Sequence, residues 1–324
     1  MDFNQLFNEF NSKRVLIIGD SMIDAYMWGE INRMSPEAPV PVVEIKKHEN
    51  RLGGAANVAL NLKALGATPI LCSVIGDDNG GKLFKKLMQK DKLSTQGIMS
   101  VRGRKTTTKT RVIAKLQHQL RVDEEDIKSI QNEDKLIKIA TKLMNDIDVV
   151  ILQDYNKGVL TQKIIQEVIK ITNNQNIPTI VDPKKQNFST FKNCTIFKPN
   201  LAEINSGMNI NCNGDNISEL EKASSDLREC LNAKGILLTL AEKGICIKTN
   251  QEFKHTPAFN RKIVDVSGAG DTVVAVASLC LASDVSLVDL SILSALAGGI
   301  VCEDVGVVAI KKDKLLSEAK KYIL

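Results

Sequence analysis

Short apolar runs rich in branched side chains recur along nearly the whole chain and alternate with stretches of helical spacing. VLII at 15–18, ILCSVI at 70–75, VVIL at 149–152, TIV at 179–181 and GILLT at 235–239 have the character of strands buried on both faces. Helical patterns occupy 55–65, 81–90, 134–144 and 161–172, and three more follow in succession at 268–283, 287–303 and 312–322. Alternating strands and helices imply right-handed crossovers, so the expected class is α/β, a mostly parallel central sheet flanked by helices. Hydrophobic residues make up 43% of the 324, enough for a sizeable core. Only 4% are aromatic, so aliphatic side chains must fill most of it.

Two segments break the rhythm. APVPVVEIKK at 38–47 and TTTKTRVIAKLQHQLRV at 106–122 read as extended, the second with Thr106, Thr108, Thr110 and Val112 in alternation. They predict a small β-sheet lid, with lid segments near 25–50 and 97–122; extra edge strands of the main sheet are the alternative. No repeat, linker or low-complexity tract is visible, so one domain over 1–324 is expected. The N-terminus lacks the pattern of a signal peptide, and no apolar run reaches 18 residues. Seven dispersed cysteines without a CxxC pair predict reduced, mostly buried thiols and a cytoplasmic location. The three histidines show no metal-ligand spacing. A net charge of +5 is too small at this length to argue for nucleic acid, and no membrane partner is expected.

The chemistry concentrates in glycine-rich turns. DVSGAGDT at 265–272 leads directly into a long apolar helix. Such a turn leaves backbone N–H groups pointing outward, where they and the helix dipole suit phosphate or a developing anion. Gly268, Ala269 and Gly270 allow close approach of a ligand, and Asp271 stands at the helix mouth within reach of a substrate hydroxyl. RLGGAANVA at 51–59 is a second such turn: Gly53 and Gly54 permit close approach, and Asn57 offers a donor and an acceptor to a polyol. GDSMID at 19–24 places Asp20 and Asp24 after the first strand, at the edge where open parallel sheets bind ligands. Each feature also has a plain structural reading, as a turn, a helix-end charge or a solvated acid. GDDNGGK at 76–82 nearly spells a phosphate loop, but Leu83 stands where a Ser or Thr would meet Mg²⁺. No GxGxxG follows the first strand, so a dinucleotide fold is excluded.

Together GDSMID, RLGGAANVA and DVSGAGDT resemble the PfkB (ribokinase-like) carbohydrate kinases over nearly the whole chain. The resemblance implies a ribokinase-like fold with a β-lid and in-line transfer of the ATP γ-phosphoryl group to a sugar hydroxyl. It makes Asp271 the base and the Gly268–Ala269–Gly270 turn the anion hole, and it puts Asp20, Asp24, Gly53, Gly54 and Asn57 on the sugar. KPNLAE at 198–203 is similar to the family's NxxE element, so Asn200 and Glu203 are expected to organise Mg²⁺ through water; as a bare sequence they read as a helix cap and its capping-box partner. Lys198 and Gly244 are assigned with them to the nucleotide, and a monovalent cation is left open.

RMSPEAPVP at 33–41, DYNKG at 154–158 and VDPK at 181–184 look like the kinase half of the ADP-heptose synthesis enzymes. That family phosphorylates D-glycero-β-D-manno-heptose 7-phosphate at its anomeric hydroxyl to the 1,7-bisphosphate. A phosphorylated substrate needs a cationic anchor, for which Arg33, Lys109, Arg111, Lys157 and Lys184 are candidates by charge. The chain departs from the pattern in Ala25-Tyr26 and in GVVAI at 306–310, and no nucleotidyltransferase domain follows within its 324 residues. A homodimer paired through the lid is expected by the same resemblance. Another sugar or sugar phosphate, or a sugar-binding regulator, are the competing readings.

Overall fold

In the computed structural model, which describes residues 2–115 and 117–323, the apolar runs form the strands of one large sheet. In chain order the elements are α1 (Phe3–Glu9), β1 (Arg14–Gly19), β2 (Ser21–Met34), β3 (Pro41–Gly54), α2 (Ala55–Ala64), β4 (Thr68–Gly76), α3 (Asn79–Lys90), β5 (Ile98–Val101), β6 (Thr108–Ala114), β7 (Gln117–Glu124), α4 (Glu133–Leu143), β8 (Val149–Gln153), α5 (Gln162–Asn174) and β9 (Thr179–Asp182). There follow β10 (Ile196–Phe197), α6 (Leu201–Met208), α7 (Ile217–Leu231), β11 (Gly235–Thr239), β12 (Ile245–Lys248), β13 (Phe253–Thr256), α8 (Ala269–Ala282), α9 (Leu287–Val301) and α10 (Lys312–Tyr322).

The large sheet runs β13-β12-β11-β10-β9-β8-β1-β4-β5, parallel except for β12 and β13. Side chains of successive residues leave a strand on opposite faces, and here both faces are dry. Val15 and Ile17 pack with α1, α2, α8 and α9, whereas Leu16 and Ile18 pack with α4, α5 and α7. Helix starts follow side-chain chemistry: Asp78 accepts from Gly81 N–H at 2.7 Å and Thr161 from Ile164 N–H at 3.4 Å. No helix among the described residues is long and apolar enough to cross a membrane.

A second sheet, ordered β3-β2-β6-β7, projects as the lid. Its extent corrects the expectation. Strand β2 leaves the main sheet after a single residue, Asp20, and pairs antiparallel with β3 along its length and parallel with β6. The stretch 106–122 is a hairpin rather than one strand, and Leu116 lies outside the described residues. Residues 98–101 are the edge strand of the main sheet, so the lid does not begin near 97. Thr106 is buried and fixes the near-phosphate loop instead, bonding Asp78 through both its N–H (2.8 Å) and its hydroxyl (2.6 Å).

Candidate active site

The parallel strands end in polar residues along one edge: Asp20 after β1, Gln153 and Asp154 at β8, Asp182 at β9 and Lys198 after β10, all buried. Helix α8 is buried from Asp271 to Cys280 and delivers Asp271 to that edge. Its carboxylate is itself only 4% exposed. Oδ2 accepts from Asn57 Nδ2 at 2.7 Å, and Oδ1 accepts from the Tyr155 hydroxyl at 2.6 Å and from Gln153 Nε2 at 3.2 Å. A carboxylate has about four lone-pair sites. Oδ1 is therefore saturated, and the open site is on Oδ2. Burial raises the Asp271 pKa to about 7, against the hydrogen bonds from Asn57 and Tyr155 and with support from the charges of Asp182 and Asp24. Burial, with Asp271 beside it, also holds the Tyr155 phenol well above its ordinary value, so this hydroxyl remains a donor.

The turn before α8 has the expected form. Gly268 is the N-cap at φ +81°, and a Cβ there would stand 3.1 Å from Asn57 Nδ2. Nothing lies within 4 Å of a Cβ built on Gly270, which is exposed. An open cradle thus sits at the positive end of the helix, one residue before the buried carboxylate. Ala269 does not contribute as expected, because its N–H turns back to the Val266 carbonyl at 3.3 Å.

The residues assigned to the sugar divide. Asn57 and Asp271 meet directly, and Asp24 lies beside them with its Oδ1 2.5 Å from Arg111. Gly53 is required by contact, since its Cβ would fall 2.0 Å from Asp24 Oδ2. Gly54 has φ +60° and would clash with the Asp20 carbonyl at 2.5 Å. Asp20 has a structural task as well: its oxygens accept the N–H groups of Tyr155, Lys157 and Val159 at 2.9, 3.0 and 3.0 Å, which leaves one lone-pair site, on Oδ1. It holds the loop that aims Tyr155.

Among the cations, Arg33 is exposed toward the far end of β2 and joins none of the others. Lys109 pairs with Asp123 (3.1 Å) and Glu125 (3.6 Å), and Lys157 pairs with Glu125 (2.8 Å). The Tyr26 ring lies between Arg111 and Arg51, 5.4 and 4.8 Å from its centroid. Arg51 in turn binds the Val307 carbonyl at 2.9 Å, tying the lid root to the 306–310 segment.

On the nucleotide side, Asn200 and Glu203 form a complete capping box. Glu203 also pairs with Lys184, and Lys198 Nζ lies 3.0 Å from Asp182 Oδ1, an ion pair by distance without hydrogen-bond alignment. Gly244 has a local reason: φ is +100° and a Cβ would stand 2.1 Å from the Thr256 carbonyl. It shapes the turn into β12. Among the described residues no three His, Cys, Asp or Glu side chains gather to hold a metal. The capping-box oxygens suit a Mg²⁺ that keeps its waters and rides on phosphates.

Tyr155 and Asp182 lie within the DYNKG and VDPK motifs but were given no role of their own, and Gln153 was not singled out, though all three end or follow apolar runs. A polar residue closing a buried parallel strand was the available signal.

Comparison with known proteins agrees with this geometry. The profile of the pfkB family carbohydrate kinases matches residues 12–314. The bifunctional protein HldE of Helicobacter pylori (strain HPAG1) is 41% identical over 280 residues, covering 86% of this chain and 60% of that protein. HldE of Campylobacter jejuni (strain RM1221) is 39% identical over 305 residues, covering 94% of this chain and 64% of that protein. The chain thus spans somewhat less than two thirds of these relatives. In fold it is similar to Escherichia coli phosphofructokinase-2 in complex with potassium (TM-score 0.79, 17% identity, 95% and 99% of the two chains). It is also similar to Arabidopsis thaliana ribokinase complexed with ribose and ATP (TM-score 0.71, 16% identity, 94% and 99%). With the buried Asp271, the glycine cradle and the lid on one sheet edge, the chain belongs to the pfkB family of carbohydrate kinases and is an ATP-dependent sugar kinase.

Proposed function

We propose that this kinase transfers the γ-phosphoryl group of ATP to the anomeric hydroxyl of D-glycero-β-D-manno-heptose 7-phosphate, giving the 1,7-bisphosphate. The observation that carries the chemistry is Asp271, a buried carboxylate with one open lone-pair site beside a sterically open glycine turn. The choice of sugar is supported by the HldE relatives at about 40% identity and by the RMSPEAPVP lid segment. Asp271 Oδ2 takes the hydroxyl proton as the oxygen attacks phosphorus in line. The free N–H groups at the start of α8 meet charge on the phosphoryl oxygens. Mg²⁺ would supply charge neutralisation for the ATP phosphates, and Asn200 and Glu203, whose oxygens also make the capping box and the Lys184 pair, would hold it through its waters. Exposed Ile263, Val264 and Val266 lead into the cradle and offer apolar surface for an adenine. Lys157 and Lys109, held near one another by Glu125, are the anchor for the substrate phosphate.

A monovalent cation belongs to the same proposal. Although burial works against it, the N–H groups of Ser267 and Gly306 hold the Asp265 carboxyl below its ordinary range, leaving an ionised group beside the cradle. Exchange of potassium for tetramethylammonium tests this requirement. Exposed Met34, Val40, Leu120 and Val122 on the lid support pairing of two lids in a homodimer. Seven free thiols support a cytoplasmic setting. Phosphorus NMR of the heptose phosphate with ATP and Mg²⁺ should show an anomeric phosphate appearing as ADP accumulates. Much faster turnover of fructose 6-phosphate or ribose would overturn the choice of sugar and leave the kinase class standing.

A further inference from the structure

Behind the base runs a buried polar chain that joins Asp271 through Gln153 to Asp182 and Lys198. Gln153 Nε2 donates to Asp271 Oδ1 at 3.2 Å and to Asp182 Oδ2 at 2.8 Å. The other oxygen of Asp182 faces Lys198 at 3.0 Å, and these residues are 0%, 5% and 3% exposed in the order Gln153, Asp182, Lys198. The amide nitrogen is the atom that belongs between two carboxylates, since an oxygen there would oppose two acceptors. In that pose Gln153 Oε1 is buried without a partner among the described residues, which costs about 1–3 kcal/mol.

We infer that Gln153 and Asp182 are positioning residues for the phosphoryl transfer: Gln153 helps saturate Asp271 Oδ1 so that Oδ2 receives the proton, and Asp182, balanced by Lys198, tunes how firmly Asp271 holds it. The two act in opposite directions. The Gln153 amide favours the charged base, and the Asp182 charge disfavours it. The other groups that face Asp271 are Asp24 of β2 with its partner Arg111 of β6, Tyr155 after β8 with Lys184 beyond its ring, and uncharged Asn57 of α2. None of them bridges Asp271 to a second carboxylate in this way. This inference rests on Asp271 being the base, and its test uses no substrate, so its failure is separable from failure of the proposed reaction.

The test is carboxyl-¹³C NMR of the ligand-free protein labelled at aspartate, with the Asp271 signal assigned by its loss in Asp271→Asn. Gln153→Met should move the Asp271 titration midpoint up by about one pH unit, and Asp182→Asn should move it down by about as much. Thermal melts check that both variants fold. Should Asp182→Asn fail because Lys198 is left buried without a counter-ion, Gln153→Met decides alone. An unmoved midpoint in Gln153→Met, or movement of both variants in one direction, overturns the inference.

Discussion

Replacing Asp271 by Asn should cut turnover sharply and, above neutral pH, stabilise the free protein. Burial lifts the Asp271 pKa to about 7, roughly three above the ordinary aspartate value. The folded state therefore prefers the protonated acid. The associated stability is fully present below about pH 4 and is lost as the pH rises through 7. Over the accessible range of pH 5 to 8 the loss is roughly 2–3 kcal/mol, out of a total on the order of 4 kcal/mol. Asparagine carries no such proton, so the stability of the variant relative to wild type should rise by that amount between pH 5 and pH 8. Rearranged hydrogen bonds to Tyr155 and Gln153 add a constant that moves the curve without changing its slope. Asp154, raised to about 6 by burial and by the Asp20 charge, slopes the same way in both proteins and cancels. Urea unfolding at half-unit pH steps reads the difference directly. Parallel curves would refute the buried-base account, as would turnover within a few-fold of wild type where a loss of roughly 10²–10⁴ is expected.

Tyr155→Phe removes a donor from the base, which is worth about 1.5–3 kcal/mol for a charged acceptor. The acidic limb of its kcat/KM profile should shift toward higher pH, and the defect should shrink at pH 8.5; a defect uniform with pH would deny Tyr155 this role. Gly270→Ala meets no steric obstacle and should leave the melting temperature unchanged or slightly raised while ATP binding and turnover fall, measured by calorimetry and rate; normal ATP binding would mean the phosphates lie elsewhere. Lys157→Ala should weaken a phosphorylated sugar by about 10–100-fold and its unphosphorylated form far less; equal losses would reassign Lys157 to packing against Glu125.

The main sheet was legible because its strands are buried on both faces, and uniform apolar runs such as 149–152 admit few other readings. Strand β2 was not. Its residues pass from buried Tyr26 to exposed Arg33, so no single period runs through it, and its pairing with β6 depends on a segment more than 80 residues away. β12 and β13 are four residues each and lie outside the alternation that revealed the rest. At the site, Asp271 and the glycines were readable because a helix mouth is a local structure. Tyr155 was hidden inside a visible motif, because its direction is set by Asp20, 135 positions earlier in the chain. The structural task of Asp20 was hidden for the same reason: the sequence shows a carboxylate at the right edge but not the three N–H groups it accepts.

That loop gives the site its internal logic. Asp20 grips the N–H groups of Tyr155, Lys157 and Val159, so residues 155 and 157 are held by one carboxylate. Tyr155 reaches Asp271 Oδ1, while Lys157 reaches Glu125, just past the end of lid strand β7. The side chain that orients Asp271 and the lysine at the cationic end are thereby fixed on one short turn, with the spacing between them set by a single anchored backbone. A substrate phosphate that draws Lys157 and Lys109 away from Glu125 exchanges one charge-assisted contact for another and leaves the base undisturbed. Asp20 thus serves the site through the backbone, by keeping the spacing of residues 155 and 157 constant while the lid contacts change.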